Sequence, residues 1–214
     1  MLLNVKITTI FNPLDWLAPH SCRGCGRIGD VLCDCCKKNI TTNIFKFNSD
    51  FSNFYVLGKR EGLLATLIHD FKYNSVRAIG GKLAEMMASR LPDLPKDTLI
   101  VPLPTATHHI RERGFDHTLF VVKRIAKIKH INVQRLFVRT ANTVQVGANK
   151  STRLAQAEHA FKINPKITVN TNATYILFDD VWTTGASMKS ALKKLRKAGA
   201  RNIIIALLAT SSLD

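Results

Sequence analysis

Long apolar runs are absent from this sequence. No segment approaches the roughly 20 apolar residues that a membrane-spanning helix needs. Residues 1–20 hold only short apolar runs, which Asn4, Lys6 and Asp15 interrupt, and they contain no cleavage region typical of a signal peptide. Internal repeats and low-complexity segments are also absent. These absences exclude an integral membrane protein of the helical kind and predict a cytoplasmic one.

Acidic residues are scarce. The 214 residues include 15 Asp and Glu against 31 Lys and Arg, which gives a formal net charge of +16. Such a balance favours polyanionic partners, so a nucleic acid, an anionic membrane surface and a polyphosphate substrate all remain open, as does a general lysine bias of the source organism. The hydrophobic content of 46% excludes a disordered chain, and the length suits one α/β domain with a small accessory module.

Cysteine is missing outside residues 22–36, where five cysteines lie close together. Two C-x2-C pairs at this separation can place four thiolates tetrahedrally around one Zn²⁺, which favours a structural metal site over a disulfide framework. Cys35 is then a spare thiol. Reduced structural cysteines, a redox pair, or His20 or Cys35 as a substitute ligand are the alternatives. The predicted ligands are Cys22, Cys25, Cys33 and Cys36.

Short apolar runs that end in turns alternate with segments of helical periodicity, which predicts an α/β fold with buried parallel strands. The predicted strands are 54–57, 98–101, 136–139, 175–178 and 203–208. The predicted helices are 62–71, 77–90, 118–129 and 187–198. We expect residues 1–50 to form an N-terminal segment with the zinc knuckle, and residues 51–214 to form the α/β domain.

The stretch YILFDDVWTTGAS, Tyr175 to Ser187, carries the most chemistry. A buried strand runs into Asp179 and Asp180, and the small residues Thr183–Ser187 then open a helix. Backbone N–H groups and hydroxyls at a helix N-terminus favour a phosphate, while neighbouring carboxylates bind sugar hydroxyls or hold Mg²⁺. The alternative is a core strand whose aspartates cap the next helix.

Basic residues elsewhere are further candidates for phosphate contact. Lys72 and Tyr73 follow a predicted helix, and Arg111 and Arg113 lie beside a glycine, where a guanidinium can bind phosphate oxygens in pairs. The polar segment 140–156 is long for a compact domain and predicts a lid.

Several motifs occur together along nine tenths of the chain. They are the Cys22–Cys36 knuckles, Phe71-Lys72-Tyr73, Val101-Pro102-Leu103-Pro104, Arg113-Gly114-Phe115, Gln145 with Arg153, Ala160-Phe161, YILFDDVWTTGAS and Gly199-Ala200. In this order they resemble the ComF family of phosphoribosyltransferase-like competence proteins. The resemblance implies a type I phosphoribosyltransferase fold, with a mostly parallel sheet flanked by helices and a small N-terminal zinc-finger module built on four cysteines. It also implies a role in natural transformation and DNA uptake.

The resemblance further implies roles for individual residues. Asp179 and Asp180 would meet the ribose hydroxyls and Mg²⁺ of phosphoribosyl diphosphate, and Lys72 with Tyr73 would lie at its diphosphate. In an active transferase, Lys72, Mg²⁺, Lys150 and Arg153 would supply positive charge to the leaving group. The predicted 5′-phosphate cradle is Thr183, Thr184, Gly185, Ala186 and Ser187. The sequence departs from the family at Asp116-His117, where Asn-Gln is common.

Three functional hypotheses follow. The first is a competence-associated protein with a working phosphoribosyl diphosphate pocket, which would be a pentosyl transferase if it is active. The second is a nucleic-acid-binding adaptor with a vestigial or regulatory pocket, in contact with single-stranded DNA and with a competence helicase or another DNA-processing protein, in the cytoplasm or peripherally at the inner membrane. The third is a nucleobase salvage enzyme, although no residue indicates the acceptor.

Overall fold

The structure is a computed structural model that describes residues 20–40, 53–140 and 160–211. The chain divides between Asn39 and Ile40 into two compact units. The expected domain boundary, between residues 50 and 51, falls outside the described residues and stays a prediction. In the described ranges, no helix combines the length and the apolar character needed to cross a membrane.

Within residues 20–39, the smaller unit contains one short helix and an isolated antiparallel bridge between Ser21 and Ile28. The helix, α1, spans Asp34–Lys38 and begins directly after Cys33. Its first turn carries Asp34 and its last turn carries Lys37 and Lys38, which places each charge at the end of the helix dipole that it stabilises.

The larger unit alternates strands and helices. In residues 53–140 and 160–211 its strands are β1 (Phe54–Lys59), β2 (Leu99–Pro102), β3 (Asn132–Val133), β4 (Phe137–Arg139), β5 (Phe161–Ile163), β6 (Thr174–Trp182) and β7 (Asn202–Thr210). The helices in the same ranges are α2 (Gly62–Tyr73), α3 (Arg77–Arg90), α4 (Thr107–Arg113), α5 (His117–Lys129) and α6 (Ala186–Lys197).

Five of these strands form a parallel sheet in the order β1-β7-β6-β2-β3, and β4 and β5 form a separate antiparallel pair. The last residue of β2, Pro102, lies opposite Phe178, whereas β6 continues beside β7 as far as Trp182. The end of β6 therefore projects past β2. This opens a crevice at the carboxyl edge of the sheet, where ligands of parallel α/β folds bind.

Strand alternation divides the end of β6 between the two faces of the sheet. Tyr175 and Leu177 face α6 and pack in one core with its buried residues Ala191 and Leu195. Asp179 belongs to that face by the same period of two, whereas Asp180 belongs to the opposite face.

The expected fold class is confirmed, because the structure has a parallel sheet flanked by helices and a cluster of four cysteines in the N-terminal unit. Element ends differ in two places that matter for the site. Lys72 and Tyr73 lie in the last turn of α2 and not in a loop after it, since the helix continues to Tyr73. Asp179 and Asp180 lie inside β6, because Val181 and Trp182 extend the strand.

Candidate functional site

The turn between β6 and α6 forms an open cradle. Gly185 is the N-cap residue of α6, has a φ of 70° and offers no side-chain cap. The Ala186 N–H donates to Thr184 Oγ1 at 3.4 Å, and the backbone N–H groups of the first helical turn lie at the positive end of the helix dipole. Thr183 and Thr184 are exposed beside them. This arrangement of N–H and O–H donors can bind a phosphate.

The indole of Trp182 forms the floor of the cradle. Its ring is 6% exposed and packs edge-on against Phe54, with 5.7 Å between ring centroids. A Cβ atom on Gly185 would overlap the Trp182 ring. Glycine is therefore required at this position both by the left-handed backbone and by the close approach of the indole.

A pocket at the crevice brings Asp179 together with the cradle. The residues that line it include Asp179 and Val181 of β6 and all five residues Thr183–Ser187. The structure thus brings Asp179 and the five predicted cradle residues to one pocket, and their roles in binding stay predictions. Asp180 is not part of this lining, in agreement with its position on the other face of β6.

The carboxylate of Asp180 is already paired with other side chains of the protein. Its Oδ2 atom forms an ion pair with Lys72 Nζ and lies 2.7 Å from His117 Nε2. The side chains of Lys72 and Asp180 are each 13% exposed, so the pair is largely shielded from water. Lys72 is 108 positions away in sequence but reaches the end of β6, and its expected contact with the diphosphate stays a prediction.

The two residues that depart from the family pattern both have structural partners. Asp116 is the N-cap of α5, where its Oδ1 accepts hydrogen bonds from Leu119 N at 3.0 Å and from the Thr105 hydroxyl at 3.1 Å. His117 is 4% exposed and lies between Asp180 and Arg113. Sequence reasoning did not include His117 in the site. The available signal was its position directly after Arg113-Gly114-Phe115.

Arg113, which is half-buried, extends this group of contacts toward the surface. Its guanidinium lies 5.0 Å from the centroid of the Tyr73 ring, and its NH2 group donates to the Tyr73 hydroxyl at 3.4 Å. The guanidinium thus lies over the ring of Tyr73, a residue that remains 56% exposed. Arg111, His108 and His109 lie on the same short helix, α4. Arg153 and Lys150 lie outside the described residues, so their roles stay predictions.

The two carboxylates differ in acidity. Burial, followed by the neighbouring charge of Asp180, raises the pKa of Asp179 to about 8. Burial opposes ionisation of Asp180 too, but the hydrogen bond from His117 and the charge of Lys72 outweigh it and hold the pKa of Asp180 well below its usual range. Asp180 is therefore the permanent anion of the site, whereas Asp179 ionises fully when a cation approaches.

This difference predicts a pH-dependent stability that an Asp179→Asn variant lacks. An unfolded aspartate has a pKa of about 3.9, so between that value and the folded pKa of about 8 the folded state binds one more proton. The stability of the wild type relative to Asp179→Asn should therefore fall as the pH rises from about 4 to about 8, by at most about 1.4 kcal/mol per pH unit. Urea unfolding of both proteins across this range measures it, and a difference independent of pH would contradict the assignment.

The four predicted zinc ligands come together in the smaller unit. All four sulfur atoms lie within 4.8 Å of one another, with 3.6 Å between Cys22 and Cys33 and 3.7 Å between Cys25 and Cys33. Thiolates on a tetrahedral zinc with bonds of about 2.3 Å are separated by about 3.8 Å. The cluster can therefore hold a metal ion such as zinc. Neither Cys35, which is exposed, nor His20 belongs to it.

Backbone N–H groups stabilise the thiolate form of Cys22, which is the form that binds a cation. Although burial opposes it, hydrogen bonds from backbone N–H groups, that of Cys33 first, lower the pKa of Cys22 to about 6. The amides of Gly24 and Cys33 each lie 3.4 Å from Cys22 Sγ. The hydrogen bond with Cys33, together with burial, raises the pKa of Cys36 to about 12. A bound cation would lower the pKa of Cys36 again, since metal binding releases protons from thiols.

Comparison with known proteins gives relatives in sequence and in structure. No family model matches the chain. Competence protein F of Haemophilus influenzae is 25% identical over 171 residues, which cover 75% of this chain and 74% of that protein.

Several solved structures similar to the chain are phosphoribosyl-transferring enzymes by name, and two of them serve as examples. The first is the glutamine phosphoribosylpyrophosphate amidotransferase of B. subtilis, with a TM-score of 0.44, 12% identity and coverage of 65% of this chain. The match spans only 30% of the length of that enzyme. The second is a hypoxanthine phosphoribosyltransferase of Staphylococcus aureus, with a TM-score of 0.38, 12% identity and coverage of 65% of both chains. The resemblance to the ComF family that the motifs indicate is confirmed by the sequence match to Competence protein F.

Proposed function

We propose that the chain is a ComF-type protein that binds phosphoribosyl diphosphate together with Mg²⁺ at the carboxyl end of β6. The observation that carries the proposal is that Asp179 and the Thr183–Ser187 cradle line one pocket. A helix N-terminus suits a phosphate, and an adjacent carboxylate suits ribose hydroxyls or a hard cation.

The residues around the pocket fit the parts of this ligand. The N–H groups at the start of α6 and the hydroxyls of Thr183, Thr184 and Ser187 would bind the 5′-phosphate. Asp179 would bind the ribose hydroxyls and Mg²⁺, which offers positive charge to the diphosphate. Lys72, fixed beside the same strand end, would contact the diphosphate. Transfer of the phosphoribosyl group would need this cationic charge, because negative charge develops on the departing diphosphate.

Titration calorimetry with phosphoribosyl diphosphate and Mg²⁺ tests the proposal. We expect the wild type to bind and Asp179→Ala to lose roughly 100-fold or more in affinity, in line with the loss of a charged ligand contact. Asp97→Ala is a matched control, because Asp97 is exposed and precedes β2 at the opposite edge of the sheet. Absence of binding by the wild type would overturn the proposal. Release of diphosphate in the presence of candidate acceptors would then test transferase activity.

We also propose that the four clustered cysteines bind one structural zinc ion. Metal analysis of protein purified with zinc present should give about one zinc per chain. Cys25→Ser should lose the metal, because it removes one of four thiolates, whereas Cys35→Ser should keep it, because Cys35 lies outside the cluster. Equal zinc content in the two variants would contradict the assignment of ligands.

A second candidate function is binding of single-stranded DNA, which the outer face of α6 favours. Lys189, Lys193, Arg196 and Lys197 are all exposed and recur at spacings of three and four residues, so they share one face. Together with the net charge of +16, they offer a row of phosphate contacts. A role in DNA uptake, with a competence helicase or another DNA-processing protein as partner, is the cellular setting that we propose.

Salt dependence distinguishes phosphate contacts from other binding. Affinity for a single-stranded oligonucleotide, measured by fluorescence anisotropy, should fall linearly with the logarithm of salt between about 50 and about 200 mM. The double variant Lys189→Gln, Lys197→Gln should reduce that slope by about 1.4, since each lost contact to a single strand contributes about 0.7. An unchanged slope would remove α6 from the DNA interface.

A further inference from the structure

One surface of the larger unit combines aromatic rings with arginines, and it is called the ring–arginine face below. Three guanidiniums each lie about 5 Å from a ring centroid. The pairs are Arg77 over Phe115 at 5.1 Å, Arg113 over Tyr73 at 5.0 Å, and Arg124 over Phe120 at 5.3 Å. Because a cation is attracted to the face of a ring, these contacts restrict the positions of the three positive charges.

The ring–arginine face lies on the side of the sheet opposite α6. Asp180 belongs to that side, and it is contacted by Lys72 of α2 and by His117 of α5. The helix α3 packs in turn against α5, and only three residues separate α2 from α3. The ring–arginine face is therefore a different surface from the basic row of α6.

The rings of this face are fixed from below by the core. Phe71 is fully buried, and its ring centroid lies 5.5 Å from that of Phe115 and 5.6 Å from that of Phe120. A Cβ atom on Gly80 of α3 would overlap the rings of Phe71 and Phe120, so glycine allows the helix to approach them closely. The rings and the arginines over them thus form a prearranged surface.

The outer groups of the face are available to a ligand. Tyr73 is 56% exposed, which is unusual for a large aromatic residue, and Arg77 and Arg124 are both exposed. Among the ion pairs of the described residues, none includes Arg77 or Arg124. Cations of this kind attract phosphates, and an exposed ring can stack with a base.

A single strand of nucleic acid offers both groups at once. Its phosphates carry the negative charge, and its bases are free to stack on protein side chains, whereas the bases of a duplex are stacked on one another. Small phosphate ligands without a base would leave the ring of Tyr73 unused. The combination of rings with unpaired arginines therefore favours a single strand.

We propose that the ring–arginine face binds single-stranded DNA, with a base stacked on Tyr73 and phosphates bound by Arg77 and Arg124. The inference rests on the second candidate function, binding of single-stranded DNA, and assigns to it a surface and a mode of contact beyond the phosphate row of α6. It does not depend on the binding of phosphoribosyl diphosphate.

Stacking is tested by comparing two oligonucleotides of equal length and charge, one with thymine bases and one abasic. By fluorescence anisotropy, we expect the wild type to bind the thymine strand about fivefold or more tightly, as for one stacked base. Tyr73→Ala should abolish this preference. Tyr73→Phe is the matched control and should retain it, because it keeps the ring and removes only the hydroxyl that accepts from Arg113.

The phosphate contacts are tested by salt dependence. The double variant Arg77→Gln, Arg124→Gln should reduce the slope of log affinity against log salt by about 1.4, since each contact to a single strand contributes about 0.7. Arg135→Gln, Arg201→Gln makes the same change in net charge and should leave the slope unchanged, because both arginines are exposed and neither lies over a ring.

Each outcome supports or overturns the inference. Equal affinity of the wild type for the two strands, a preference that Tyr73→Ala retains, or equal slopes in the two arginine variants would overturn it. If the slope falls only in the α6 variant Lys189→Gln, Lys197→Gln, binding of single-stranded DNA stands and the ring–arginine face is excluded. If the wild type binds neither strand, the second candidate function fails and the inference fails with it.

Discussion

Asp180→Asn is expected to lower the free energy of unfolding at neutral pH by about 3 kcal/mol, the cost of removing one partner of a buried ion pair. The substitution conserves shape, but it leaves the ammonium of Lys72 without its carboxylate at a position where that side chain is only 13% exposed. It also weakens the acceptor for His117 Nε2. Urea unfolding followed by circular dichroism measures the change.

Asp179→Asn is the matched control, since the two aspartates are adjacent and the substitutions are identical. Its carboxyl group has a pKa raised to about 8, so a neutral amide replaces a group that is already neutral over much of the accessible pH range. We expect its stability to equal or exceed that of the wild type at neutral pH. Because the pKa of Asp180 is lowered, the stability it contributes is present above about pH 4 and lost as the pH falls below that value. An equal loss in both variants would contradict the division of roles.

Gly185→Ala should produce the second large effect, a loss of about 3 kcal/mol in stability together with loss of phosphate binding. The left-handed backbone at φ 70° costs a residue with a Cβ atom about 1–2 kcal/mol. Overlap of that atom with the buried Trp182 ring adds a similar amount, as overpacking does elsewhere. Relief of the overlap would displace the turn and with it the N–H groups of the cradle.

Gly114→Ala measures the loss of stability that the left-handed backbone alone causes. Gly114 has a φ of 72°, almost the same as Gly185, but a Cβ atom there would have no neighbour within 4 Å. We therefore expect a loss of only about 1 kcal/mol for this control. If the two variants lose equal stability, the indole of Trp182 is not the rigid floor of the cradle.

The strand–turn–helix arrangement around the proposed phosphate cradle could be predicted from the sequence because all its parts are local. An apolar run, a small-residue turn and an amphipathic segment follow one another between Tyr175 and Ser187, and the structure contains β6, the turn and α6 in that order. The cysteine cluster could equally be predicted from the sequence. The spacing of its four cysteines determines which thiols can meet around one ion; these are Cys22, Cys25, Cys33 and Cys36.

The contacts of Asp180 could not be predicted in the same way. Lys72, His117 and Asp180 lie on α2, α5 and β6, and only the tertiary packing of these elements brings them together. The position of Asp179 and Asp180 on opposite faces of the sheet could have been predicted, because adjacent strand residues point to opposite faces. It was missed because the strand was expected to end before the carboxylates, whereas β6 continues to Trp182.

The most direct test of the central claim is the response of the backbone amides in the cradle to ribose 5-phosphate, which contains the predicted 5′-phosphate without the diphosphate. Proton–nitrogen NMR spectra should show saturable shifts of Thr184, Gly185, Ala186 and Ser187 in the wild type, and these shifts should be lost in Gly185→Ala. Shifts that do not saturate, or that fall instead on the exposed basic residues of α6, would contradict a phosphoribosyl site at the end of β6.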